Sequence, residues 1–506
     1  MNLIAPKFIF FFAIACLFSS CTFTKIIVHF KPNTTDHHKV FHCDTIKGTS
    51  IDNWATSSLE TMPAAPKPLF VNVHNAKNIP PIQEWIPKSQ LSKVKANTFE
   101  ELLEASKTTA FIVIKNDSIL YENYLNGGKK EASRIVFSVT KAITATLTAV
   151  AAEEGLLSLD QKVLEFLPEF DKEGLKEITL RHLMGMVSGL KWNDFQNILK
   201  LGGLYYNSNQ RRFVVKHSKS QSKPGEVFAY KSLSTQILGL CLEKAIGTNL
   251  AAYFEAKIWK PVGMQYDAMM TLDSKKKRNP RTFGGIAFTA SDMARFGKLM
   301  LNDGKWEGQQ IIPDWFIDEL KKRDLKRWFG YSNCFWRNGY EEENWTQNTA
   351  YWAAGFKGQY IYINPTHNTI IVRMGNDEKQ RWAVLLGRLS HHIAVGSTDL
   401  TNPKLDYGEQ FAGTFKSATG QEMTLSLLPE RDKYGRREWL WERDKTHFKE
   451  GAKLKTLTQF DGISLGDKKL GRQTRMYYKV ENGKIVGFYY NTWPVTKLEY
   501  FEKVKD

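Results

Sequence analysis

Two strand-rich segments stand at opposite ends of a long helical stretch, and this order constrains the fold more than any other feature. The segment FIVIKNDSILYENYL, beginning at Phe111, has two β-rich runs about a turn at Asn116-Asp117. Helical patterns dominate from Leu156 to Arg323, and strands return in FGYSNCFW and GQYIYINPTHNTIIVRMG. The pattern predicts an α+β domain in which distant segments form one antiparallel sheet, flanked by helices and interrupted by an all-helical insert.

At 506 residues the chain is too long for one ordinary domain, and its composition divides it into five parts. An export signal precedes a proline-punctuated tether and extended arm, the α+β domain, a linker and a closing run of short strands. We expect the closing part to be a small all-β domain, either a barrel or a sandwich. The predicted parts are residues 1–21, 22–95, 96–394, 395–406 and 407–506.

The N-terminus has the composition of an export signal. Lys7 precedes the apolar run Phe8–Phe18, which is too short to span a bilayer but matches the apolar region of a signal peptide. The following FSSC resembles the processing site of bacterial lipoproteins, with Cys21 as the lipidated residue. An uncleaved anchor is the alternative, because residues 25–28 continue the hydrophobicity. We expect an exported protein at the periplasmic face of a bacterial membrane.

Charge and metal-ligand patterns exclude several partners. The net charge of +17 comes from scattered lysines and arginines, and the tightest cluster, Lys275–Arg278, lacks interleaved aromatic residues, so we expect no nucleic-acid ligand. Cysteine and histidine spacings form no disulfide framework and no metal motif, so we expect no metal and no cofactor. The residues concerned are Cys43, Cys241, Cys334, His37, His38, His391 and His392.

Ser138 and Lys141 form a Ser-x-x-Lys pair at the start of the apolar run AITATLTAVAAEEG. On a helix this spacing places the two side chains on one face, where an amine can take the hydroxyl proton. Only Lys141 enters a helix so apolar that burial would lower its pKa. The same spacing also occurs at Ser92/Lys95, Ser188/Lys191, Ser220/Lys223 and Ser274/Lys277.

Six landmarks in order between Thr109 and Ala394 resemble the penicillin-recognising serine hydrolases. They are FSVTK, ITLRHLMGMVSGL, PGEVFAYKSLSTQILG, IWKPVGM, GGIAFTASDMARFGKLML and GFKGQYIYINP. The nearest branch holds class C β-lactamases, D-aminopeptidases, esterases and 6-aminohexanoate-dimer hydrolases. Within it, this chain looks most similar to the esterases and the 6-aminohexanoate-dimer hydrolases. The resemblance implies a β-lactamase/transpeptidase-like fold.

The same resemblance assigns roles to individual residues. It implies that Ser138 is the nucleophile and that Lys141 and Tyr230 transfer its proton. It also implies an oxyanion hole made by the backbone N–H groups of Ser138 and Gln359. Gly358 would let substrate approach a strand at the edge of the site. Lys357 is a further candidate for substrate contact, although a one-residue shift along a strand points a side chain to the opposite face.

Two departures from the family pattern bear on the substrate. Ser232 replaces an asparagine that holds an acylamide side chain, and Phe356 replaces a cation that pairs with a carboxylate. Both changes argue against efficient β-lactam hydrolysis and favour a neutral ester or amide. Asp194 could bind a substrate amine, the alternative being a solvated loop aspartate.

These observations predict an exported serine hydrolase that cleaves a small ester, amide or short peptide through an acyl-enzyme. A peptidoglycan D,D-peptidase, a D-aminopeptidase or a β-lactamase is the alternative within the family. From another class, a binding or sensor protein could keep the fold without turnover. The α/β-hydrolase alternative lacks a Gly-x-Ser-x-Gly nucleophile turn. The acyl group, the oligomeric state and the role of the C-terminal part stay open.

Overall fold

A computed structural model describes the α+β domain almost completely and the C-terminal part strand by strand. The predicted export signal, Cys21 and Cys43 lie outside the described residues. Among the helices that are described, none is long and apolar enough to cross a membrane. The described residues are 58–66, 72–73, 79, 81–86, 96–194, 198–322, 330–337, 349–377, 382–395, 413–417, 422–431, 437–443, 452–454, 457–458, 462–467, 472–481, 484–492 and 499–504.

Fourteen strands precede the C-terminal part within the described residues. They are β1 Leu59–Met62, β2 Asn72–Val73, β3 Thr108–Lys115, β4 Ser118–Tyr124, β5 Arg134–Ile135, β6 Ala268–Thr271, β7 Ile286–Phe288, β8 Lys305–Trp306, β9 Gln309–Gln310, β10 Tyr331–Ser332, β11 Phe335–Arg337, β12 Tyr351–Gly355, β13 Gln359–Asn364 and β14 Thr369–Gly375.

The central sheet has eight strands in the order β10-β11-β12-β13-β14-β3-β4-β2. Strand β3 pairs with β14 in antiparallel register, so that Val113 lies opposite Ile371 although the two are distant in sequence. The predicted hairpin of β3 and β4 turns at Asn116 and Asp117, which both have positive φ angles. The α+β prediction, with a sheet assembled from distant segments, is confirmed.

Helices cover both faces of this sheet and fill the stretch between its two halves. The described α-helices are α1 Ile82–Trp85, α2 Phe99–Ala105, α3 Val139–Glu153, α4 Val163–Phe166, α5 Leu180–Met184, α6 Ile198–Tyr206, α7 Gln210–His217, α8 Ser232–Ile246, α9 Leu250–Phe254, α10 Lys260–Val262, α11 Ala290–Leu301, α12 Asp314–Lys321 and α13 Trp382–Val395. Helix α3 is buried from Val139 to Ala151, since it packs against both the sheet and the helical insert.

The N-terminal arm packs on the α+β domain. Strand β1 pairs with β6 at the edge of a four-stranded sheet of order β1-β6-β7-β5. Strand β2 pairs in parallel with β4, and Trp85 of α1 packs edge-on against Phe99 with ring centroids 5.5 Å apart. The arm thereby adds strands to both sheets.

The C-terminal part forms one antiparallel sheet of nine strands. Its order is β18-β17-β16-β15-β23-β22-β21-β20-β19, and the described ladders do not close into a ring. The all-β prediction is confirmed, but these ladders form a single sheet rather than a closed barrel. The strands are β15 Gly413–Ser417, β16 Glu422–Arg431, β17 Arg437–Arg443, β18 Ala452–Leu454, β19 Leu457–Thr458, β20 Gly462–Asp467, β21 Arg472–Glu481, β22 Lys484–Thr492 and β23 Glu499–Lys503.

Candidate active site

Ser138 lies at the N-terminus of helix α3, three residues after strand β5. Its side chain is half-buried, so the hydroxyl lies at the surface of the core. The preceding Phe137 has a φ of 46°, a left-handed conformation that is uncommon for a bulky residue and marks local backbone strain. The positive end of the helix dipole favours negative charge at this position. The chain therefore presents Ser138 where a developing oxyanion would be stabilised.

Lys141 lies within hydrogen-bonding distance of Ser138. Its Nζ is 2.8 Å from Ser138 Oγ and donates to the backbone carbonyl of Phe283 at 2.7 Å. Only 1% of the residue is exposed. Burial lowers the pKa of this amine to about 8, whereas the negative charge of Asp194 acts in the opposite direction. About a tenth of the amine is therefore unprotonated at pH 7, far more than for an ordinary lysine.

The segment 282–286, which carries the Phe283 carbonyl, is hydrogen-bonded to two helices. Thr144 Oγ1 of α3 donates to the carbonyl of Thr282 at 2.8 Å. The N–H of Thr282 donates to Gln236 Oε1 of α8 at 3.2 Å. The N–H of Ile286 donates to Thr140 Oγ1 at 3.1 Å. Sequence reasoning missed this acceptor; two threonines spaced four apart beside Lys141 were the only local signal.

Tyr230 completes a cluster of three side chains. Burial raises the pKa of its phenol well above the ordinary value, so the phenol stays protonated, and the nearby Ser138 side chain acts on this pKa in the opposite direction. The Nζ of Lys141 lies 5.1 Å from the centre of its ring. The ring also stacks on half-buried Trp336 at a centroid distance of 5.6 Å. The structure thus brings together the three residues that the sequence singled out for proton transfer.

Asp194 accepts hydrogen bonds from the start of helix α8. Its carboxylate accepts from the backbone N–H of Ser232 at 3.0 and 3.1 Å and from Ser232 Oγ at 2.7 Å. The indole N–H of Trp192 also donates to it. Asp194 is only 6% exposed, so the alternative of a solvated loop aspartate is wrong. The carboxylate of Asp194 and the hydroxyl of Ser232 are thus hydrogen-bonded to each other. The binding of a substrate amine by Asp194 stays a prediction.

Gly358 and Lys357 lie in a turn, not on a strand as expected. Strand β12 ends at Gly355 and β13 begins at Gln359, and the residues between them form the loop of the hairpin. Lys357 has a φ of 64° and Gly358 a φ of 82°. Strand alternation therefore does not decide the direction of the Lys357 side chain, which is 8% exposed. Its contact with substrate stays a prediction.

The turn lies against the segment that leads into Ser138. A Cβ on Gly355 would come within 2.2 Å of the Val136 carbonyl oxygen, so the two backbones are in close contact. The ring of Phe356 packs edge-on against Phe137 at a centroid distance of 5.6 Å, and half of Phe356 is exposed. The hairpin that contains Gln359 therefore lies beside the serine.

Gln359 is fully buried, and its side chain is used within the protein. Its Nε2 donates to the carbonyls of Gly375 at 2.6 Å and Phe356 at 3.1 Å. Its Oε1 accepts from the N–H of Gly375 at 3.2 Å. The side-chain amide of Gln359 is thus hydrogen-bonded to neighbouring backbone groups. The predicted oxyanion role concerns its backbone N–H alone.

The competing Ser-x-x-Lys pairs differ from Ser138/Lys141 in burial. Ser188 bonds to Ser234 Oγ at 2.9 Å rather than to a lysine amine. The lysines of the described competing pairs are exposed, whereas Lys141 is buried. They are Lys191, Lys223 and Lys277, whereas Ser92 and Lys95 lie outside the described residues.

Metal-binding side chains do not cluster in the described part of the chain. No group of three or more His, Cys, Asp or Glu residues there is arranged to hold a metal ion. Cys241 and Cys334 are buried free thiols. His392 Nε2 lies 3.1 Å from a carboxylate oxygen of Glu84, between helices α13 and α1.

The family model named Beta-lactamase matches residues 96–389 of the chain. The chain belongs to the β-lactamase family. As a member of this family with named hydrolase relatives, it is a serine hydrolase. The match covers the described α+β domain from helix α2 into helix α13 and includes every site residue described above.

Two relatives and one solved structure illustrate its neighbours. The chain is 21% identical to the 6-aminohexanoate-dimer hydrolase of Paenarthrobacter ureafaciens over 296 residues, which are 55% of this chain and 74% of that protein. It is 27% identical to penicillin-binding protein 4* of Bacillus subtilis over 137 residues, which are 25% of this chain and 28% of that protein. A solved structure from Bacillus anthracis, provisionally named a 6-aminohexanoate-dimer hydrolase, has a TM-score of 0.59 at 22% identity and covers 72% of this chain and 98% of its own. At that identity the likeness shows the fold alone.

Proposed function

We propose that this β-lactamase-family hydrolase cleaves a neutral ester or amide through an acyl-enzyme on Ser138. One observation carries the proposal: the buried amine of Lys141 lies 2.8 Å from Ser138 Oγ and 5.1 Å from the centre of the Tyr230 ring, so the three side chains form one cluster. A desolvated, partly neutral amine is a competent general base for a serine hydroxyl.

The reaction follows from these three side chains. The neutral amine of Lys141 takes the hydroxyl proton while Ser138 Oγ bonds to the substrate carbonyl carbon, which gives a tetrahedral oxyanion. Tyr230, whose phenol is protonated, passes a proton to the leaving alcohol or amine and is reprotonated by Lys141. The bond to the leaving group then breaks, leaving an ester on Ser138. Water, deprotonated by the same groups, releases the acid and restores the serine.

The oxyanion would be bound by two backbone N–H groups, those of Ser138 and Gln359. The N–H of Ser138 lies at the start of helix α3, where the helix dipole favours negative charge. The N–H of Gln359 belongs to the hairpin beside Ser138. Each such donor typically lowers the barrier by about 3 kcal/mol.

The side chains around the serine favour a neutral substrate with an apolar group. Phe356, half-exposed beside Phe137, occupies the position where related enzymes carry a cation for a carboxylate. The hydroxyl of Ser232 donates to Asp194 at 2.7 Å, so its proton is not available to the carbonyl of a substrate acylamide. The amide substrate named for the Paenarthrobacter relative also supports an ester or amide here.

A fluorophosphonate probe tests the nucleophile. We expect it to label the wild type and not Ser138→Ala, and to label Ser274→Ala normally, because Ser274 belongs to a Ser-x-x-Lys pair with an exposed lysine. Lys141→Met should fold and lose acylation. Undiminished labelling of Ser138→Ala would refute the proposal, and a folded wild type that resists the probe and every substrate would favour the binding-protein alternative.

A substrate panel tests the specificity. We expect p-nitrophenyl esters to be cleaved with a higher kcat/KM than D-alanyl peptides or nitrocefin. Preference for D-alanyl peptides would instead identify a D,D-peptidase or D-aminopeptidase, and rapid nitrocefin turnover a β-lactamase.

We also propose that the protein is exported and lipid-anchored through Cys21, on the basis of its N-terminal sequence. Metabolic labelling with a palmitate analogue in a bacterial host should label the wild type and not Cys21→Ala. Equal labelling of both proteins, or a cytoplasmic wild type, would contradict this.

A further inference from the structure

Arg373 lies behind the turn that leads to Gln359. It is fully buried on strand β14. Its Nη1 donates to the carbonyls of Gly358 at 2.6 Å and Lys357 at 3.3 Å, both of which belong to the turn. Its other N–H groups donate outside the turn, to Ser106 O at 2.8 Å, Asp377 O at 3.2 Å and Thr108 Oγ1 at 3.0 Å. The guanidinium therefore ties the turn to two other segments.

Two glycines leave the space that the guanidinium fills. A Cβ on Gly358 would lie 2.0 Å from Arg373 Nη1, and a Cβ on Gly375 would lie 2.6 Å from Nη2. The plane of the guanidinium also packs on the ring of Trp382, with Cζ 4.0 Å from its centre. A guanidinium with five directed N–H groups and a stacked face is held in one orientation, which a lysine could not reproduce.

The same hairpin also contacts the serine segment. Gly355, the last residue of β12, and Phe356, the first residue of the turn, contact Val136 and Phe137, the two residues before Ser138. The hairpin is thus in contact both with the guanidinium and with the backbone that leads into the serine. The position of the Gln359 N–H relative to Ser138 depends on this packing.

From this arrangement we infer that Arg373 is a positioning residue for the oxyanion donor at Gln359. The inference rests on the function proposed above, because it requires the Gln359 N–H to bind the oxyanion. Arg373 itself is fully buried and touches no substrate; it acts by fixing the carbonyls of Lys357 and Gly358. Donors of an oxyanion hole must lie within about 0.5 Å of their productive position, so a relaxed turn weakens transition-state binding and spares substrate binding.

Arg373→Lys in the full chain tests the inference. We expect kcat to fall by about 10- to 100-fold, with KM within about twofold and an unchanged pH midpoint, because the proton-transfer groups stay in place. The infrared carbonyl stretch of a ¹³C-labelled acyl-enzyme should move to higher frequency, because the carbonyl loses hydrogen bonding. A purely structural role would not move this band. Wild-type kcat and wild-type frequency in the folded variant would overturn the inference.

Matched variants separate the possible outcomes. Arg295 is also buried and donates to a backbone carbonyl, that of Gly263 at 2.8 Å, so Arg295→Lys controls for loss of a buried guanidinium and should keep kcat and the carbonyl frequency. If Arg373→Lys does not fold, Thr108→Val removes one acceptor of the guanidinium, and an unchanged kcat and frequency there overturn the inference. Ser138→Ala reports separately on the proposed function: if it stays active, that function fails whatever the arginine variants do.

Discussion

The amine of Lys141 donates a hydrogen bond to the backbone carbonyl of Phe283, 2.7 Å away, while Ser138 Oγ lies 2.8 Å from the same nitrogen. A carbonyl accepts but cannot donate, so it fixes one N–H of the amine whatever the protonation state. In the neutral amine this leaves the lone pair free to accept the proton of the serine hydroxyl. The Phe283 carbonyl therefore orients the base, and Thr140, Thr144 and Gln236 hold the segment that carries it.

The rate of acylation should rise with pH through a midpoint near 8. Burial lowers the pKa of Lys141 to about 8, and only the unprotonated amine can take the serine proton. The measurement is kcat/KM for a neutral ester followed by pH-stat titration. Burial also lowers the pKa of Lys231 to about 8, but that amine donates to the Leu190 carbonyl, so the midpoint should persist in Lys231→Met. A profile flat down to pH 5 would exclude Lys141 as the base.

Asp194→Asn should shift this midpoint to lower pH. The negative charge of Asp194 raises the pKa of Lys141, so its removal makes the amine easier to deprotonate. An asparagine oxygen can still accept from the N–H of Ser232 and preserve the start of helix α8. Asp171→Asn, at an exposed position, is the matched control and should leave the midpoint in place. A shift to higher pH would contradict the electrostatic assignment.

Lys141→Met should stabilise the protein at neutral pH while abolishing acylation. The pKa of Lys141 is lowered in the folded state, so the unfolded chain binds more protons between about pH 8 and 10.5 and stability rises with pH across that window. Below pH 8 the wild type bears the full cost of the buried charge, on the order of 3 kcal/mol at most. Thermal unfolding should show that Lys141→Met is more stable than the wild type at pH 7 and that this difference in stability vanishes toward pH 10.5. A gain independent of pH would point to packing instead.

Tyr230→Phe should lower kcat by about 10²- to 10⁴-fold without loss of stability, since it removes a proton-transfer group and keeps the ring that stacks on Trp336. Rapid-quench measurement of acylation and a thermal melt give the two quantities. Tyr253→Phe, which removes a phenol bonded to Glu154 at 2.8 Å, controls for loss of a hydroxyl far from the serine. An unchanged acylation rate in Tyr230→Phe would remove the phenol from the mechanism.

Phe356→Arg should move the specificity toward substrates with a carboxylate. Half of the Phe356 side chain is exposed, so the substitution should change the free energy of unfolding by less than about 0.5 kcal/mol. A charge-assisted hydrogen bond to the substrate should raise kcat/KM for an acidic ester relative to its neutral isostere by ~10-fold. Phe356→Leu serves as the uncharged comparison. Equal ratios in both variants would show that position 356 does not face the substrate carboxylate.

The sequence predicted the parts of the site that depend on local spacing. Ser138 and Lys141 are three apart on one helix, so their contact follows from helix geometry. The Phe283 carbonyl and Arg373 are contributed by segments far along the chain, and the spacing of residues around Ser138 does not identify these partners. The turn at Lys357 and Gly358 was misjudged because GFKGQYIYI reads as one β-rich run. The buried guanidinium of Arg373, donating to both carbonyls, explains why the chain turns there instead.

The pairing of β1 with β6 has a practical consequence for producing the protein. The family match begins at residue 96, but strand β1 covers the outer side of β6, and Ile82, Trp85 and Ile86 are buried on the same domain. A truncation at the match boundary would expose an unpaired strand and an apolar surface, both of which promote aggregation. Soluble recombinant protein therefore needs a start upstream of Leu59.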